Sequence, residues 1–305
     1  MKLLRSLDQL PAELLRGAIS IGNFDGVHRG HARIVERLIA KAREVDGPAV
    51  VFTFDPHPVR LLRPDAAPPP LTWTERKAEL LAELGVDRII AYPTDEALLG
   101  LEAEAFFQQI VCEQLDARAM VEGPNFFFGR RRRGDVGLLR GLCEASGVAL
   151  EIVEPLREAG DFISSSRIRT LIQQGDVRSA AAMLTRPYRI RGLVTHGERR
   201  GEKLGFPTAN IDAIDTLLPA VGVYAARGFV EGQPWRTAVN VGPSPTFGQS
   251  LLRVEAHLIG FSGTLYGQPL EVEFLDRLRD VRAFGSVEEL VEQLRQDLER
   301  VKYEW

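Results

Sequence analysis

The stretch GNFDGVHRGH, from Gly22 to His31, decides the fold of the first half of the chain. The apolar segment before it, Ala18–Gly22, is typical of a buried strand that ends in glycine. The segment after it, His31–Val45, has apolar residues at helical spacing. A strand, a glycine turn and a helix predict a unit that opens at the carboxyl edge of a parallel sheet, where ligands bind. The N–H groups and positive dipole at the start of such a helix suit a phosphate.

Two histidines in this stretch, His28 and His31, are candidate catalytic residues. Helical geometry puts residues three apart on one face, and Gly30 between them leaves room for a phosphate to come close. Two imidazoles that face one anion suit a pentacoordinate phosphorus transition state, because they donate hydrogen bonds without covalent chemistry. The alternative is a pair of exposed histidines at a helix start. The candidate phosphate-binding residues are Gly22, Asn23, Phe24, Asp25 and Gly30, with turn formation an equal alternative for Asn23 and Asp25.

Strand-like and helix-like segments alternate through the first half of the chain. The predicted strands are Ala18–Gly22, Pro48–Phe54, Val86–Tyr92, Ala117–Glu122 and Val148–Val153. The predicted helices are His31–Val45, Glu75–Leu84, Glu102–Leu115 and Val136–Ser146, with a capping box of Thr72 and Glu75 before the second. The four prolines of Arg63–Pro70 predict a loop. This alternation predicts an α/β fold with a parallel sheet that is covered on both faces.

The second half of the chain changes character near Arg186 and Pro187, where segments become short and punctuated by glycine. The predicted strands are Tyr188–Thr195, Gly222–Phe229, Trp235–Asn240, Leu252–Leu258 and Leu270–Phe274. Short strands at close spacing predict an antiparallel barrel or sandwich. Ser286 and Glu289 form a capping box for a terminal helix that ends near Lys302. We therefore predict two domains, residues 1–186 and 187–305.

A second glycine-rich signature, GEKLGFPTAN, runs from Gly201 to Asn210. A flexible loop of this kind lets backbone amides wrap phosphates, but it lacks the G-K-[ST] ending of a P-loop. Thr208 offers a hydroxyl and Asn210 a carbonyl oxygen, and both are hard ligands that suit Mg²⁺. A proline-containing turn at a strand end is an equal alternative for PTAN. The candidate phosphate-binding residues here are Gly197, Gly201, Gly205, Phe206 and Pro207.

The composition excludes several classes of protein. The net charge of −4 over 305 residues argues against a general nucleic-acid binder. No apolar run approaches the ~18 residues of a membrane span, and the N-terminus has no apolar core long enough for a signal peptide. The two cysteines, Cys112 and Cys143, are far apart and lack metal spacing. We therefore predict a cytoplasmic protein with no nucleic-acid or membrane partner, as a monomer or weak homo-oligomer.

Two further elements could bind anions. The segment ISSSRIR, Ile163–Arg169, puts serines and an arginine at the start of a predicted helix after the last parallel strand. Ser164 and Ser165 can bond a phosphate, and Arg167 can neutralise the charge of a leaving group. The alternative is an ordinary helix cap with a surface arginine. The run Arg130–Arg133 could clamp phosphates or be a solvated loop tip, and the sequence leaves both open.

GNFDGVHRGH and SSSRIR together resemble the nucleotidylyltransferase superfamily. The segments FDPHP (Phe54–Pro58) and EGPNFFFGRRRRGD (Glu122–Asp135), with the second signature, narrow the resemblance to the prokaryotic bifunctional riboflavin kinases/FMN adenylyltransferases, also called FAD synthetases. The resemblance covers essentially the whole chain. It implies a Rossmann-like nucleotidylyltransferase domain followed by an antiparallel β-barrel riboflavin kinase domain with a terminal helix.

The resemblance also implies an activity for each domain. The barrel would phosphorylate riboflavin with ATP and Mg²⁺ to give FMN, and the α/β domain would transfer AMP from a second ATP to FMN, giving FAD and pyrophosphate. Glu255, in VEAHLIG, matches the catalytic glutamate of the kinase. A strand glutamate is otherwise usually solvent-facing, and for His257 on the same face packing is the safer interpretation.

The resemblance assigns roles to residues of the α/β domain as well. His28 and His31 would hold the ATP phosphates, with Ser164, Ser165 and Arg167 assisting. Asn125 would lie in the flavin site. Phe128 is a second flavin candidate, although the sequence favours core packing for the run Phe126–Phe128.

Three positions depart from the family pattern, namely Ser244 before the PTF triplet, Gly260-Phe261 after a strand, and Val281 near the C-terminus. Ser244 and Val281 motivate an alternative, a single-activity FMN adenylyltransferase whose barrel has lost catalysis and serves as a flavin-binding or regulatory module. A second alternative is a nucleic-acid-binding protein that uses the barrel and the arginine run, against which the net charge speaks.

Overall fold

The computed structural model describes residues 2–7, 15–197, 201, 204–243 and 252–303. It divides into two compact units, Met1–Pro68 with Trp73–Ser164, and Pro69–Thr72 with Ser165–Trp305. The predicted domain boundary at residue 186 stays a prediction. Ser244 with the PTF triplet, and Glu202 and Lys203 of the second signature, lie outside the described residues.

The first unit is built on a six-stranded parallel sheet, as predicted. Its strands are β1 (Lys2–Leu4), β2 (Ala18–Ile21), β3 (Ala49–Asp55), β4 (Arg88–Pro93), β5 (Ala119–Glu122) and β6 (Ala149–Ile152). They lie in the order β1-β4-β3-β2-β5-β6. The connections run one way from β2 to β4 and the other way from β5 to β6. This order places the topological switch point between β2 and β5, which is where open α/β sheets bind ligands.

Helices cover both faces of this sheet, since the side chains of each strand alternate between two hydrophobic clusters. The helices are α1 (Arg29–Glu44), α2 (Pro58–Leu62), α3 (Thr74–Glu83), α4 (Glu96–Gly100), α5 (Ala103–Phe106, continuing as a π-helix over Phe107–Gln114) and α6 (Val136–Ser146). The cluster on one face contains buried residues of α1 and α3, and we call it the α1 face. The other contains residues of α5 and α6, and we call it the α6 face.

The start of α3 and one loop add detail to the sequence prediction for the first unit. α3 begins at Thr74, with the buried Trp73 at the cap position and no hydrogen bond from that side chain to the helix. Glu75 forms an ion pair with Arg5, and the predicted capping box of Thr72 and Glu75 stays a prediction. The predicted loop Arg63–Pro70 contains one 3-10 turn, Pro64–Ala66, since proline suits the first position of a helix.

The second unit contains a closed antiparallel barrel, which decides between the predicted barrel and sandwich. Its strands are β9 (Arg189–Thr195), β10 (Ala209–Asp212), β11 (Gly222–Val230), β12 (Gln233–Pro243), β13 (Leu252–Leu258) and β14 (Pro269–Arg279), in the order β10-β13-β12-β11-β14-β9. β7 (Arg157–Glu158) and β8 (Asp161–Phe162) belong to the first unit, where they form a separate two-stranded antiparallel hairpin. The helices of the second unit are α7 (Ser165–Gln173), α8 (Val177–Met183) and α9 (Val287–Tyr303).

The terminal helix α9 begins as predicted and is held to the barrel by a buried ion pair. The Ser286 hydroxyl accepts a hydrogen bond from the N–H of Glu289. Asp297 is 1% exposed and accepts three hydrogen bonds from the Arg279 guanidinium of β14, at 2.7 to 3.0 Å. Gln293 donates a further one to the same carboxylate. Both carboxylate oxygens of Asp297 therefore accept hydrogen bonds.

Removing the charge of Asp297 tests this anchor. We expect Asp297→Asn to lower the free energy of unfolding of the second unit by about 3 kcal/mol, because a buried guanidinium loses its counter-ion. Glu299→Gln on the same helix is the control, since Glu299 forms an exposed pair with Lys302 and its loss should cost at most ~0.5 kcal/mol. Urea titration followed by circular dichroism measures both, and equal effects would contradict the anchor.

Candidate active sites

The loop between β2 and α1 has a backbone that few sequences adopt. Phe24, Gly26 and Val27 all have positive φ, at 46°, 82° and 39°. Val27 is β-branched and fully buried, and a positive φ in such a residue costs on the order of 1–3 kcal/mol. Packing therefore holds the loop in a strained shape at the switch point of the sheet.

His28 ends this loop and caps α1. Its Nδ1 accepts a hydrogen bond of 3.2 Å from the backbone N–H of His31, so the neutral ring carries its proton on Nε2. The two imidazoles are stacked, with ring centroids 3.6 Å apart and planes 13° from parallel. A Cβ at position 30 would lie 3.0 Å from the His28 ring, which explains glycine at that position. The structure thus brings His28, Gly30 and His31 together, as their spacing predicts.

Both imidazoles are uncharged at neutral pH. Burial lowers the pKa of His28 to about 4, against opposing contributions from a backbone hydrogen bond and from Asp25. Burial also lowers the pKa of His31 well below its usual range, and the neighbouring His28 and Lys77 lower it further. Stacked rings at this distance cannot both be charged without strong repulsion. The pair is therefore a set of neutral hydrogen-bond donors and acceptors.

Several polar groups around the loop suit an anion. No residue in the first turn of α1 is acidic, so the positive end of its dipole is uncompensated there. Three buried atoms have no hydrogen-bond partner among the described residues, namely Ser20 Oγ, Asn23 Oδ1 and His31 Nδ1. Buried polar atoms without partners are costly and mark functional positions. This region can therefore accept a polar ligand.

A buried carboxyl group lies beside the loop, between β2 and β5. Glu122 is 3% exposed, and its Oε1 accepts a hydrogen bond of 2.7 Å from the N–H of Ile21. The backbone pairing of these strands covers Ala18 and Ile19 only, so the side chain of Glu122 takes over where the strands separate. Burial raises the pKa of Glu122 well above its ordinary value of 4.5. Burial therefore favours the protonated, neutral form of this carboxyl group.

Half-buried aromatic side chains lie at the carboxyl ends of the strands on the α6 face. Phe54 and Tyr92 flank the ring of Phe52, and Phe126 stacks on Phe128 with centroids 5.3 Å apart. Phe128 is 6% exposed within the core cluster, which agrees with packing. Its role as a flavin ligand stays a prediction. The flat apolar surface on this face contrasts with the polar loop on the α1 face.

The remaining candidate site residues of the α/β domain are Asn125, Ser164, Ser165 and Arg167. Asn125 is exposed in the segment after β5. Ser164 is the last residue of the first unit, whereas Ser165 and Arg167 open α7 in the second unit. Their proposed roles stay predictions.

The arginine run forms an exposed 3-10 turn, Arg130–Arg132, followed by Arg133. Arg130 pairs with Glu102 at 3.4 Å, and Arg132 lies over the ring of Phe127 at 4.7 Å. The exposure of this turn is compatible with a loop tip and with a phosphate clamp, so both interpretations stay open.

In the barrel, three polar side chains lie in register across adjacent strands. Glu255 of β13 is the partner of Asn210 on β10 and of Asn240 on β12. The Asn240 amide donates a hydrogen bond of 3.2 Å to Glu255 Oε2, which orients the carboxylate. Because residues in register point to the same side of a sheet, Glu255 and Asn210 share one face as a catalytic site would require.

The glycine loop approaches the same face. A Cβ at Gly197 would lie 2.0 Å from the Asn210 side-chain amide, and one at Gly201 would lie 2.4 Å from the carbonyl oxygen of Phe206. Thr208 is exposed just before β10. Gly197 therefore lies against the predicted magnesium ligand Asn210, and Gly201 lies against Phe206.

His257 fastens this loop to the barrel. Its Nδ1 lies 2.7 Å from the carbonyl oxygen of Pro207, so Nδ1 carries the proton. The ring of Phe206 contacts the same imidazole edge-on at 6.0 Å. His257 therefore holds Phe206 and Pro207 in place, which agrees with the packing role that the sequence favours.

Two of the departures from the family pattern can be located. Gly260 follows β13 with φ of 80°, and a Cβ there would meet open space. Val281 is 40% exposed between β14 and α9. Neither residue alters the Glu255–Asn240 contact.

Comparisons with known proteins agree with this geometry. A model of the FAD synthetase family matches residues 11–167, and a model of the riboflavin kinase family matches residues 184–304. A bifunctional riboflavin kinase/FMN adenylyltransferase of Pseudomonas fluorescens is 35% identical over 291 residues, which is 95% of this chain and 93% of that protein. The proteins of the same name in Escherichia coli K12 and Bacillus subtilis 168 are both 33% identical, over 97% and 95% of this chain and 96% and 93% of their own lengths. The chain belongs to this family.

Family membership confirms the resemblance found in the sequence, the two predicted domain types and the enzyme class. It also implies ATP and flavins as substrates. A solved structure from Streptococcus pneumoniae, described as a macrolide-efflux protein, has a TM-score of 0.88 and 29% identity, over 100% of this chain and 99% of that one. Among the helices of the described residues, none is both long and apolar enough to cross a membrane.

Sequence reasoning missed four residues that the structure places at these sites, namely Thr53, Lys77, Glu122 and Asn240. For Asn240, the only sequence signal of a site residue was its position at the end of a predicted strand. Lys77 and Glu122 are charged residues within buried elements, and that signal was available, because such residues are rarely buried without a function or a partner.

The neutral state of Glu122 can be tested through stability. A carboxyl whose folded pKa is raised binds a proton in the folded state and releases it on unfolding, so its contribution to stability is lost as pH rises above 4.5. Glu122→Gln keeps the acceptor for Ile21 and cannot titrate. We expect the unfolding free energy of the variant to rise relative to the native chain by up to ~1.4 kcal/mol per pH unit in that range. Denaturation from pH 4.5 to 8 measures this difference, and parallel profiles would disprove a neutral Glu122.

Proposed function

We propose that this chain makes FMN from riboflavin in the barrel and FAD from FMN in the parallel-sheet unit, with one ATP consumed in each reaction. The observation that carries the proposal is the presence of two different polar sites, one in each compact unit of a single family member. One pairs neutral imidazoles with a helix N-terminus, and the other pairs a carboxylate with a glycine loop.

The kinase reaction needs a base, because its nucleophile is an alcohol. The terminal ribityl hydroxyl oxygen of riboflavin attacks the γ-phosphorus of ATP, the bond from that phosphorus to the bridging oxygen breaks, and ADP leaves with the electron pair. Glu255 accepts the hydroxyl proton. Asn240 donates to the other carboxylate oxygen and so holds the base in orientation.

The donor set near the glycine loop fits Mg²⁺. Thr208 and Asn210 offer neutral oxygen ligands, and among the described residues no group of three or more His, Cys, Asp or Glu side chains could hold a metal alone. A magnesium ion in proteins commonly completes its coordination with substrate phosphates and water. When bound, the ion neutralises phosphate charge, and Thr208 and Asn210 would hold it beside Glu255.

The adenylyl transfer needs no base, because the FMN phosphate is already an anion. A phosphate oxygen of FMN attacks the α-phosphorus of ATP, the bond to the bridging oxygen breaks, and pyrophosphate leaves. His28 can donate its Nε2 proton as a hydrogen bond to the ATP phosphates, with His31 stacked against it. Ser164, Ser165 and Arg167 assist by resemblance to the family.

The flavin of this second reaction would contact the α6 face. The half-buried rings of Phe54, Tyr92 and Phe126 offer the flat apolar surface that an isoalloxazine ring needs, and Asn125 offers a polar group beside them. A cytoplasmic location, the lack of a nucleic-acid partner and a monomeric or weakly oligomeric state complete the proposal as predictions from composition.

A product assay tests the proposal directly. The purified chain is incubated with riboflavin, ATP and Mg²⁺, and the flavins are separated by chromatography over time. We expect FMN first and then FAD, because the product of the barrel is the substrate of the other unit. FAD from supplied FMN, without any product from riboflavin, would instead support the single-activity alternative.

Two variants separate the activities. Glu255→Gln removes the base but keeps the size of the side chain, and it should reduce FMN formation by about 10²- to 10⁴-fold while FAD formation from supplied FMN continues. His31→Asn should give the opposite pattern. The same chromatography measures both variants. FMN formation at the native rate by Glu255→Gln would overturn the assignment of the base.

A further inference from the structure

Lys77 is a buried lysine that none of the roles above uses. It lies on α3, is 7% exposed and projects toward the carboxyl ends of the strands on the α1 face. An ammonium group carries three N–H donors, and lysine is rarely buried without partners that satisfy them. Its position near the histidine loop therefore calls for an explanation.

The contacts of Lys77 connect it to the loop. Its Nζ donates a hydrogen bond of 3.3 Å to Thr53 Oγ1, and the Thr53 hydroxyl donates one of 3.2 Å to the backbone carbonyl of Asn23. Among the described residues, this is the one hydrogen bond of the Lys77 ammonium, and no carboxylate forms an ion pair with it. Two of its N–H donors therefore lack a protein partner.

The charges around Lys77 confirm how close it lies to the loop. Burial lowers the pKa of Lys77, while Asp25 and Asp55 raise it. The positive charge of Lys77 in turn contributes to the lowered pKa of His31. Asp55 is already paired with Arg5. The ammonium thus lies in a poorly hydrated place, where the carboxylates of Asp25 and Asp55 and the imidazole of His31 are close enough to interact with it.

A role confined to holding the loop explains only part of this arrangement. The chain from Lys77 through Thr53 to Asn23 uses one N–H, and a neutral donor would serve as well. The two unused donors, the Nε2 proton of His28 and the helix N-terminus are instead features of an anion-binding site.

We propose that Lys77 is a ligand of the ATP triphosphate in the adenylyl-transfer site. The inference rests on the proposed adenylyl transfer. When the FMN oxygen forms its bond to the α-phosphorus, the electron pair of the broken bond stays on the pyrophosphate, so negative charge grows on the leaving group. The Lys77 ammonium stabilises that charge, which neutral imidazoles do less well.

Replacing Lys77 by methionine tests the proposal in the full chain. Lys77→Met keeps the length of the side chain and removes the charge. We expect the KM for ATP in FAD formation to rise roughly 10- to 100-fold, the worth of one hydrogen bond to a charged group. The kcat should fall as well, because the lost charge also stabilised the leaving group in the transition state, and FMN formation from riboflavin should be unchanged. In the reverse reaction, which makes ATP from FAD and pyrophosphate, the KM for pyrophosphate should rise similarly and the KM for FAD should not.

Three further variants make the result decisive. Lys41→Met removes a lysine of α1 that is already paired with Glu44, and it should leave both KM values unchanged. Thr53→Val removes the protein partner of Lys77 but keeps its charge, and its effect should be at most about threefold. Lys77→Gln repeats the loss of charge with a polar side chain, in case the methionine variant does not fold.

The outcomes separate the two proposals. Native KM values for ATP and pyrophosphate in a folded Lys77→Met chain would overturn the phosphate contact and leave adenylyl transfer intact. An equal loss in Thr53→Val would show that Lys77 acts by holding the loop, which also overturns it. A native chain that makes no FAD from FMN would overturn the proposed function itself, and this inference with it.

Discussion

The hydrogen bond from the His31 N–H to the His28 ring is the interaction on which the first site depends. It caps α1 and fixes the proton of His28 on Nε2, and burial of the stacked pair keeps both rings neutral. A helix start usually uses a short polar side chain for this purpose. Here an imidazole does so, and one residue therefore serves both the fold and the chemistry proposed for it.

Because side chains alternate along the parallel strands, the two faces of the sheet in this unit carry different kinds of residue. Thr53 faces α1 and α3, whereas Phe52 and Phe54 face the opposite helices. Polar and charged groups gather on the first face, and flat apolar rings gather on the second. A nucleotide and a flavin could therefore approach the same strand ends from different sides, with Glu122 marking where β2 and β5 separate.

The sequence predicted the elements that periodicity and composition control. The parallel sheet, the helix after the histidine loop and the helix Val136–Ser146 follow from apolar spacing, as does β13. β10 was missed because its four residues, Ala209–Asp212, overlap PTAN and carry too short an apolar pattern. The helix predicted over Glu75–Leu84 is found over Thr74–Glu83, within one residue at each end. Contacts distant in sequence, such as Glu255 with Asn240 or Lys77 with Thr53, have no local pattern, and only the fold reveals them.

The two proposed reactions need opposite electrostatics, and the chain keeps them in separate units. An alcohol nucleophile requires a carboxylate that can take a proton, and Glu255 is oriented for this by a neutral amide. A phosphate nucleophile is already charged, so a nearby ionised carboxylate would repel it. Burial raises the pKa of Glu122 beside the first site and so disfavours a negative charge there, and the buried ammonium of Lys77 lies close to Asp25, the carboxylate of the loop. One site could not meet both requirements, because the base that activates riboflavin would oppose the approach of FMN.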